Sequence, residues 1–186
     1  MTHAAPDILS WRLAEASKAA LTRLVGAPLG QRGAVADIRF GTPSSVAYAA
    51  LDLVSYQPRH GTAATLSTTW HTTGGIDWHE IHAAESDGSQ RAADTVTASA
   101  PTHAPLHDIE AVHVTFATGD TTDGPRNGET LSIDCALNLV FADGEVLHLT
   151  TDFDSIVGAI VVSTGRFDPA SLDVEGLTHD VRPLLN

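Results

Sequence analysis

Residues after Gly33 alternate between apolar and polar side chains, and this alternation constrains the fold more than any other feature of the sequence. A period of two is typical of β-strands, because successive side chains of a strand point to opposite faces of the sheet. Turn-forming residues such as Gly74-Gly75 separate several of the alternating runs. The candidate strands cover residues 34–40, 45–56, 63–73, 76–84, 92–99, 109–118, 130–141, 145–153 and 156–163.

The first part of the chain has the one strong helical pattern. Apolar residues recur at helical spacing from Leu9 to Leu24, Asp7 is placed to cap the first turn, and Gly26 ends the run. The sequence predicts a single domain over 1–186, with a helix over 8–25, antiparallel β-structure over 34–163 and an irregular tail over 165–186. The expected fold is mainly β, a β-rich α+β class: an antiparallel sandwich or barrel-like sheet with one N-terminal amphipathic helix.

The segment 130–153 predicts a hairpin whose register can be assigned. Gly144 suits the left-handed position of a three-residue loop, and this loop pairs Leu139 with Leu147 and Leu137 with Leu149. The same face continues through Cys135 and Ile133 and is almost entirely apolar. We therefore expect it to lie in the core, since a register shifted by one residue would mix apolar and polar side chains.

The opposite face of this hairpin is polar. Asn138 lies beside His148 in the predicted register, and Asp134 is opposite Asp152. Two opposed aspartates either share a cation, raise the pKa of one carboxyl group, or face water. The face is thus either the polar wall of a pocket or a solvated sheet surface.

A second hairpin is predicted by Trp70-His71 and Trp78-His79, which flank Gly74-Gly75. A two-residue turn pairs His71 with Trp78 and Trp70 with His79. Alternation then places the side chains of His71, Trp78, Glu80 and His82 on one face.

The group formed by His71, Glu80 and His82 is the strongest chemical constellation in the sequence. Two imidazoles and a carboxylate can perform acid–base chemistry or ligate a divalent metal, and they equally fit cross-strand packing on a ribbon. Our assignment includes no metal and no cofactor. The candidate catalytic residues are His71, Glu80, His82, Asp134, His148 and Asp152, and the candidate binding residues are Trp11, Trp70, Trp78 and Asn138.

Charge restricts the choice of partner. The chain has 10 Lys and Arg residues against 23 Asp and Glu residues, a formal net charge of −13. This charge disfavours nucleic acid and anionic membrane surfaces. The N-terminus lacks the pattern of a signal peptide, so the expected compartment is the cytoplasm. Cys135 is the only cysteine, so no internal disulfide forms, and its apolar neighbours predict a buried thiol.

Three functional hypotheses fit these observations. The first is a partner-binding protein of the immunity or antitoxin type that neutralises a basic protein, using an acidic patch and an aromatic anchor such as Trp11 or Trp78. The second is a small enzyme, an isomerase, cyclase or hydrolase, that binds a small apolar ligand in a β-barrel pocket lined by His, Asp and Glu. The third is a non-catalytic structural domain, such as a homodimer.

Overall fold

The computed structural model describes residues 8–35, 46–55, 63–73, 76–86, 104–117, 130–151 and 158–185. These residues contain β1 (Ile8–Trp11), α1 (Glu15–Thr22), β2 (Leu29–Val35), β3 (Val46–Ser55), β4 (Ala63–Thr73), β5 (Ile76–Ser86), β6 (Leu106–Ala117), β7 (Thr130–Phe141), β8 (Val146–Thr151), β9 (Ile160–Thr164), a 3-10 helix (Pro169–Leu172) and β10 (Thr178–Pro183). The predicted strand over 92–99 and the Gly74-Gly75 turn lie outside the described residues.

All the strands belong to one 10-stranded sheet with the order β10-β6-β7-β8-β9-β3-β4-β5. These neighbours pair antiparallel; β1 adds to β7 in parallel, and β2 adds to β3. The sheet curves, since β5 packs against β7 and β8 and the Thr151 hydroxyl donates to the carbonyl oxygen of His79 at 3.4 Å. The prediction of a mainly β fold with a barrel-like antiparallel sheet is confirmed. Within the described residues β5 and β10 do not pair, so this sheet does not close into a barrel.

The hairpin of β7 and β8 has the predicted register. Leu137 pairs with Leu149 and Leu139 with Leu147, and all four side chains are buried. Gly144 has φ +89° and donates its N–H to the carbonyl oxygen of Phe141 at 3.0 Å, as a loop with a left-handed residue requires. These leucines belong to the main core cluster, which also contains Leu21 and Leu24 from α1 and the turn that follows it.

The predicted helix over 8–25 is wrong in its first half. Ile8–Trp11 is a strand that pairs with Thr130–Ile133 of β7, and the helix begins only at Glu15. Leu9 and Trp11 pack on a second cluster instead of on a helical face. Long-range backbone pairing along a strand edge has therefore overridden a local helical pattern.

The C-terminal tail is more regular than predicted. It forms the 3-10 helix and then β10, which pairs with β6 from Thr178 opposite Thr115 to Pro183 opposite Glu110. Most β10 side chains are exposed, so the strand lacks the apolar alternation by which buried strands are recognised. The strand predicted at 34–40 begins earlier than predicted, at Leu29, and residues 36–40 lie outside the described residues.

A β-bulge divides β7 into two parts. Val112 pairs with Ala136 and His113 pairs with Asp134, so Cys135 is the extra residue. A shift of one residue reverses the faces of a strand. Leu137 and Leu139 accordingly belong to the main core cluster, whereas Ile133 and Cys135 belong to the second. The prediction that Ile133 and Cys135 share the face of Leu137 is therefore wrong.

The two sides of the hairpin give a direct test of the core assignment. Leu137→Ala removes a side chain that is 1% exposed, and we expect it to lower the free energy of unfolding by about 2–5 kcal/mol. Val140→Ala, on the half-buried opposite side, should cost less than about 1.5 kcal/mol. Urea unfolding of both variants measures the difference, and equal losses would contradict this core.

Candidate functional site

The predicted pairing of β4 and β5 brings His71, Glu80 and His82 together. His71 pairs with Trp78, and Trp70 pairs with His79, in the predicted register. The Nε2 atoms of His71 and His82 lie 3.1 and 3.5 Å from Oε2 of Glu80. We call these three residues the His–Glu cluster. Its side chains are 20–37% exposed, so it lies at the surface of the sheet rather than in an enclosed cavity.

The tryptophans beside the His–Glu cluster have different environments. Trp78 is buried, stacks on His71 with ring centroids 4.5 Å apart, and meets Trp11 edge to face at 4.9 Å. Trp11 is half-buried in the same cluster of side chains. Trp70, on the opposite face of the ribbon, is 53% exposed. Trp11 and Trp78 are therefore packing residues, and Trp70 has the most accessible of the three indoles.

The described residues contain no group of three His, Cys, Asp or Glu side chains arranged to hold a metal ion. In the His–Glu cluster, one oxygen of Glu80 is shared by two imidazoles. A shared carboxylate can accept hydrogen bonds from both rings and can exchange protons with them. This is an arrangement for hydrogen bonding and proton exchange at a solvent-accessible surface.

Asp134 is the centre of a nearly buried polar network that the sequence did not predict. Its Oδ1 accepts hydrogen bonds from Nδ1 of His113 and from Arg182, both at 2.7 Å, and its Oδ2 accepts from the backbone N–H of Leu13 at 2.7 Å. The bulge at Cys135 creates this network, because it places His113 opposite Asp134. Asp134 therefore ties the connection between β1 and α1, and strand β10, to the centre of the sheet.

The network continues from His113 to two hydroxyl groups. Nε2 of His113 is 2.8 Å from Oγ of Ser132, which is 2.8 Å from Oγ1 of Thr115. This order of contacts resembles a Ser-His-Asp relay. Ser132 is only 8% exposed, however, and Arg182 neutralises Asp134. The network thus satisfies buried polar groups, and its serine is poorly placed to reach a substrate.

Asn138 and His148 hold the C-terminal segment against β7 and β8. The Asn138 side chain is buried, donates to Glu110 at 3.2 Å and accepts the backbone N–H of Phe167 at 3.0 Å. Nδ1 of His148 donates to the carbonyl oxygen of Gly165 at 2.9 Å. The polar face predicted as a pocket wall or a wet surface is therefore covered by the protein's own chain at this point.

The structure does not assemble the second predicted group of acids and bases. Asp134 contacts His113 and Arg182, whereas His148 contacts Gly165 and Phe167. The bulge lies between Asp134 and the residue that pairs with His148, so the two side chains do not share a face. Asp152, predicted opposite Asp134, lies outside the described residues.

A groove in the C-terminal segment has a concentration of negative charge. It has a volume of about 620 Å³, and we call it the acidic groove; it is lined by Asp168, Pro169, Ala170, Asp173, Val174, Glu175, Gly176, Leu177 and His179. Residues 167–181 include four carboxylates and no lysine or arginine. The prediction of an irregular tail over 165–186 gave no indication of this surface.

The arginines on either side of the acidic groove are already engaged. Arg166 pairs with Glu110, and Arg182 pairs with Asp134. Asp173 and Glu175 are exposed, and among the described residues neither forms an ion pair. The charge of the groove is thus not neutralised from within the described part of the chain. Its apolar lining comes from Val174 and Leu177, which pack against the second core cluster.

Comparison with models of protein families, with curated proteins and with solved structures gives no match to this chain. The described part of the chain also has no helix of the length and apolarity that a membrane span requires. Any assignment of function therefore depends on the surfaces described above.

The Asp134 network predicts a large effect on stability. Asp134→Asn removes the nearly buried carboxylate that Arg182 and His113 contact at 2.7 Å, and we expect a loss of about 2 kcal/mol or more in the free energy of unfolding. Glu175→Gln removes the same charge from an exposed position and should change stability by less than about 0.5 kcal/mol. Chemical unfolding compares them, and a loss no greater for Asp134→Asn than for the control would refute the network's structural role.

Cys135 provides a prediction about pH. Burial raises the pKa of its thiol from 9.0 to about 12. Between pH 9.0 and 12 the thiol of the unfolded chain loses its proton while the thiol of the folded chain keeps it. The contribution of this thiol to the free energy of unfolding is therefore intact below pH 9.0 and decreases as the pH rises toward 12. At pH 8 a thiol reagent should modify the native protein at least about 100-fold more slowly than the urea-unfolded protein. Equal rates would show an accessible thiol.

Proposed function

We propose that this protein is an acidic partner-binding protein of the immunity or antitoxin type that neutralises a basic protein in the cytoplasm. The acidic groove is the observation on which the proposal depends. It combines a concave shape, exposed carboxylates that form no ion pair within the described residues, and an apolar lining. A basic partner would find both charge complementarity and apolar contact there.

The net charge of −13 supports the same proposal through association kinetics. Opposite charge on two proteins raises their rate of encounter and favours the correct partner over others. Such an effect suits an inhibitor that must act before its target does damage. The acidic groove would orient the encounter, because its carboxylates lie close together.

The aromatic anchor proposed for this partner changes with the structure. Trp11 and Trp78 were the expected anchors, but Trp78 is buried and Trp11 packs against it. Trp70 is 53% exposed and supplies an accessible indole of the kind enriched at binding hot spots. We assign Trp70 as a second contact, on a face separate from the His–Glu cluster.

The alternative is a small enzyme that acts on an apolar ligand. The specific observation in its favour is the carboxylate of Glu80, which lies within 3.5 Å of Nε2 of both His71 and His82. Acid–base catalysis also needs a site that encloses its substrate. The described part of the interior is filled by leucines from β3, β4, β7 and β8, so we give preference to partner binding.

Co-purification followed by charge neutralisation tests the proposed function. The tagged full chain should retain a stoichiometric basic protein from its native cell. The double variant Asp173→Asn/Glu175→Gln should bind that purified protein at least about tenfold more weakly, because removing charges from a complementary surface slows association. Surface plasmon resonance at low and high salt measures both the rate and its ionic-strength dependence.

A matched variant separates local from global charge. Asp77→Asn/Asp143→Asn also removes two exposed carboxylates, but neither lines the acidic groove. It should bind the partner nearly as well as the wild type. Equal weakening by both double variants would mean that net charge alone is responsible, and retention of only a small molecule or of no protein would refute the proposal.

A further inference from the structure

Within the described residues, strand β10 is paired along one edge and open along the other. The N–H of Leu184 donates to the carbonyl oxygen of Ile109 at 2.7 Å, and Arg182 and Asp180 lie opposite Ala111 and His113 in the same register. Backbone groups of alternate residues in an antiparallel strand point to opposite sides. The N–H and C=O groups of His179 and Val181 therefore point away from β6. No other described strand pairs with that edge.

The strands at the two ends of the sheet, β5 and β10, have different neighbours. At β5 the N–H of Ala83 donates to the hydroxyl of Ser17, and α1 lies against the strand. At β10 no helix of the described chain has an equivalent position, and Val181 is 41% exposed. Open strand edges are templates for an added strand. Pro183 has no N–H, which limits pairing to a short segment and disfavours open-ended association.

The open edge is continuous with the acidic groove. His179 lines the groove and also presents its backbone groups to the open side of β10. Asp180 is exposed on the same strand, and Asp173 and Glu175 are exposed a few residues before it. An added strand beside β10 would direct alternate side chains to each face of the sheet. Those on the face of His179 would lie next to the groove carboxylates.

We infer that β10 accepts an extended basic segment of the partner as an added β-strand. The segment's backbone pairs with His179 and Val181, and its lysine or arginine side chains lie against the carboxylates of the acidic groove. This inference rests on the proposed function and specifies how the partner is recognised. Backbone pairing supplies the affinity and alternate basic side chains supply the selectivity.

A synthetic ten-residue peptide of alternating lysine and valine is the probe. In the free protein, the amides of Asp180 and Arg182 should exchange slowly because they face β6, and those of His179 and Val181 should exchange quickly. Adding the peptide should slow exchange at His179 and Val181 by about tenfold or more, as expected for newly hydrogen-bonded amides. NMR-detected hydrogen exchange measures all four residues. No change at His179 and Val181 with the peptide bound would overturn the inference.

Variants of the strand and of the peptide separate backbone pairing from charge. Val181→Pro removes an N–H that points away from β6, and it should weaken peptide binding about tenfold, whereas Val181→Ala keeps the N–H and should bind nearly normally. The unfolding midpoint of each variant confirms that it is folded. A peptide with N-methyl groups on alternate residues should lose affinity to the same extent without any change to the protein.

The outcomes distinguish this inference from the proposed function. The N-methylated and unmodified peptides could bind equally well to the wild type and both bind weakly to Asp173→Asn/Glu175→Gln. That result would leave the acidic groove as a binding surface and would overturn strand addition. Protection of His179 and Val181 that increases with protein concentration, without peptide, would identify a second copy of the chain as the occupant and also overturn it. If the unmodified peptide binds Asp173→Asn/Glu175→Gln as tightly as the wild type, the result would count against strand addition and against the acidic groove as the binding surface.

Discussion

Strand β7 is the element on which the rest of the structure depends. It pairs with β6 along one edge and with β1 and β8 along the other, and its buried side chains contribute to both core clusters. The bulge at Cys135 allows one strand to contribute side chains to both clusters, because the alternation of side chains between the two faces shifts by one residue at the bulge. Asp134 and Asn138, on either side of the bulge, then hold three segments in place: the connection between β1 and α1, strand β10, and the C-terminal segment at Phe167.

Local signals predicted much of the sheet. The positive φ of Gly144 and the pairing of Leu137 with Leu149 follow from turn chemistry and from the need to bury one apolar face. The same reasoning fixed the register of the ribbon that places His71 near Glu80. Both hairpins join strands that are close in sequence, so a few residues of the turn contain the information that aligns them.

The missed features depend on contacts between distant segments. No local pattern marks Cys135 as a bulged residue, and the pairing of Ile8–Trp11 with β7 joins parts of the chain that are more than a hundred residues apart. Asp134 and Asn138 were predicted as functional residues because polar side chains in a strand suggest a site. In the structure they satisfy buried hydrogen-bonding groups of other segments, which a single sequence does not distinguish from a binding role.

The distribution of cations explains why a chain with this composition presents an acidic groove. Every lysine and arginine in the described residues, apart from Arg12, pairs with a carboxylate. The pairs are Lys18–Glu15, Arg23–Glu85, Arg32–Asp52, Arg166–Glu110, Arg182–Asp134 and the longer Arg182–Asp180.

Two of these pairs show what the cations do. Asp52 and Asp134 are almost fully buried, and a buried carboxylate without a cation would carry a large desolvation cost. The arginines beside them are consequently held at these buried carboxylates, and Arg182 reaches one exposed carboxylate as well, that of Asp180. Arg182 lies closest to Asp134, at 2.7 Å, and its other carboxylate neighbour is Asp180 at 4.0 Å, so no ion pair in the described residues neutralises Asp173 or Glu175. The stability of the sheet and the negative potential of the groove thus follow from the same arrangement of charges.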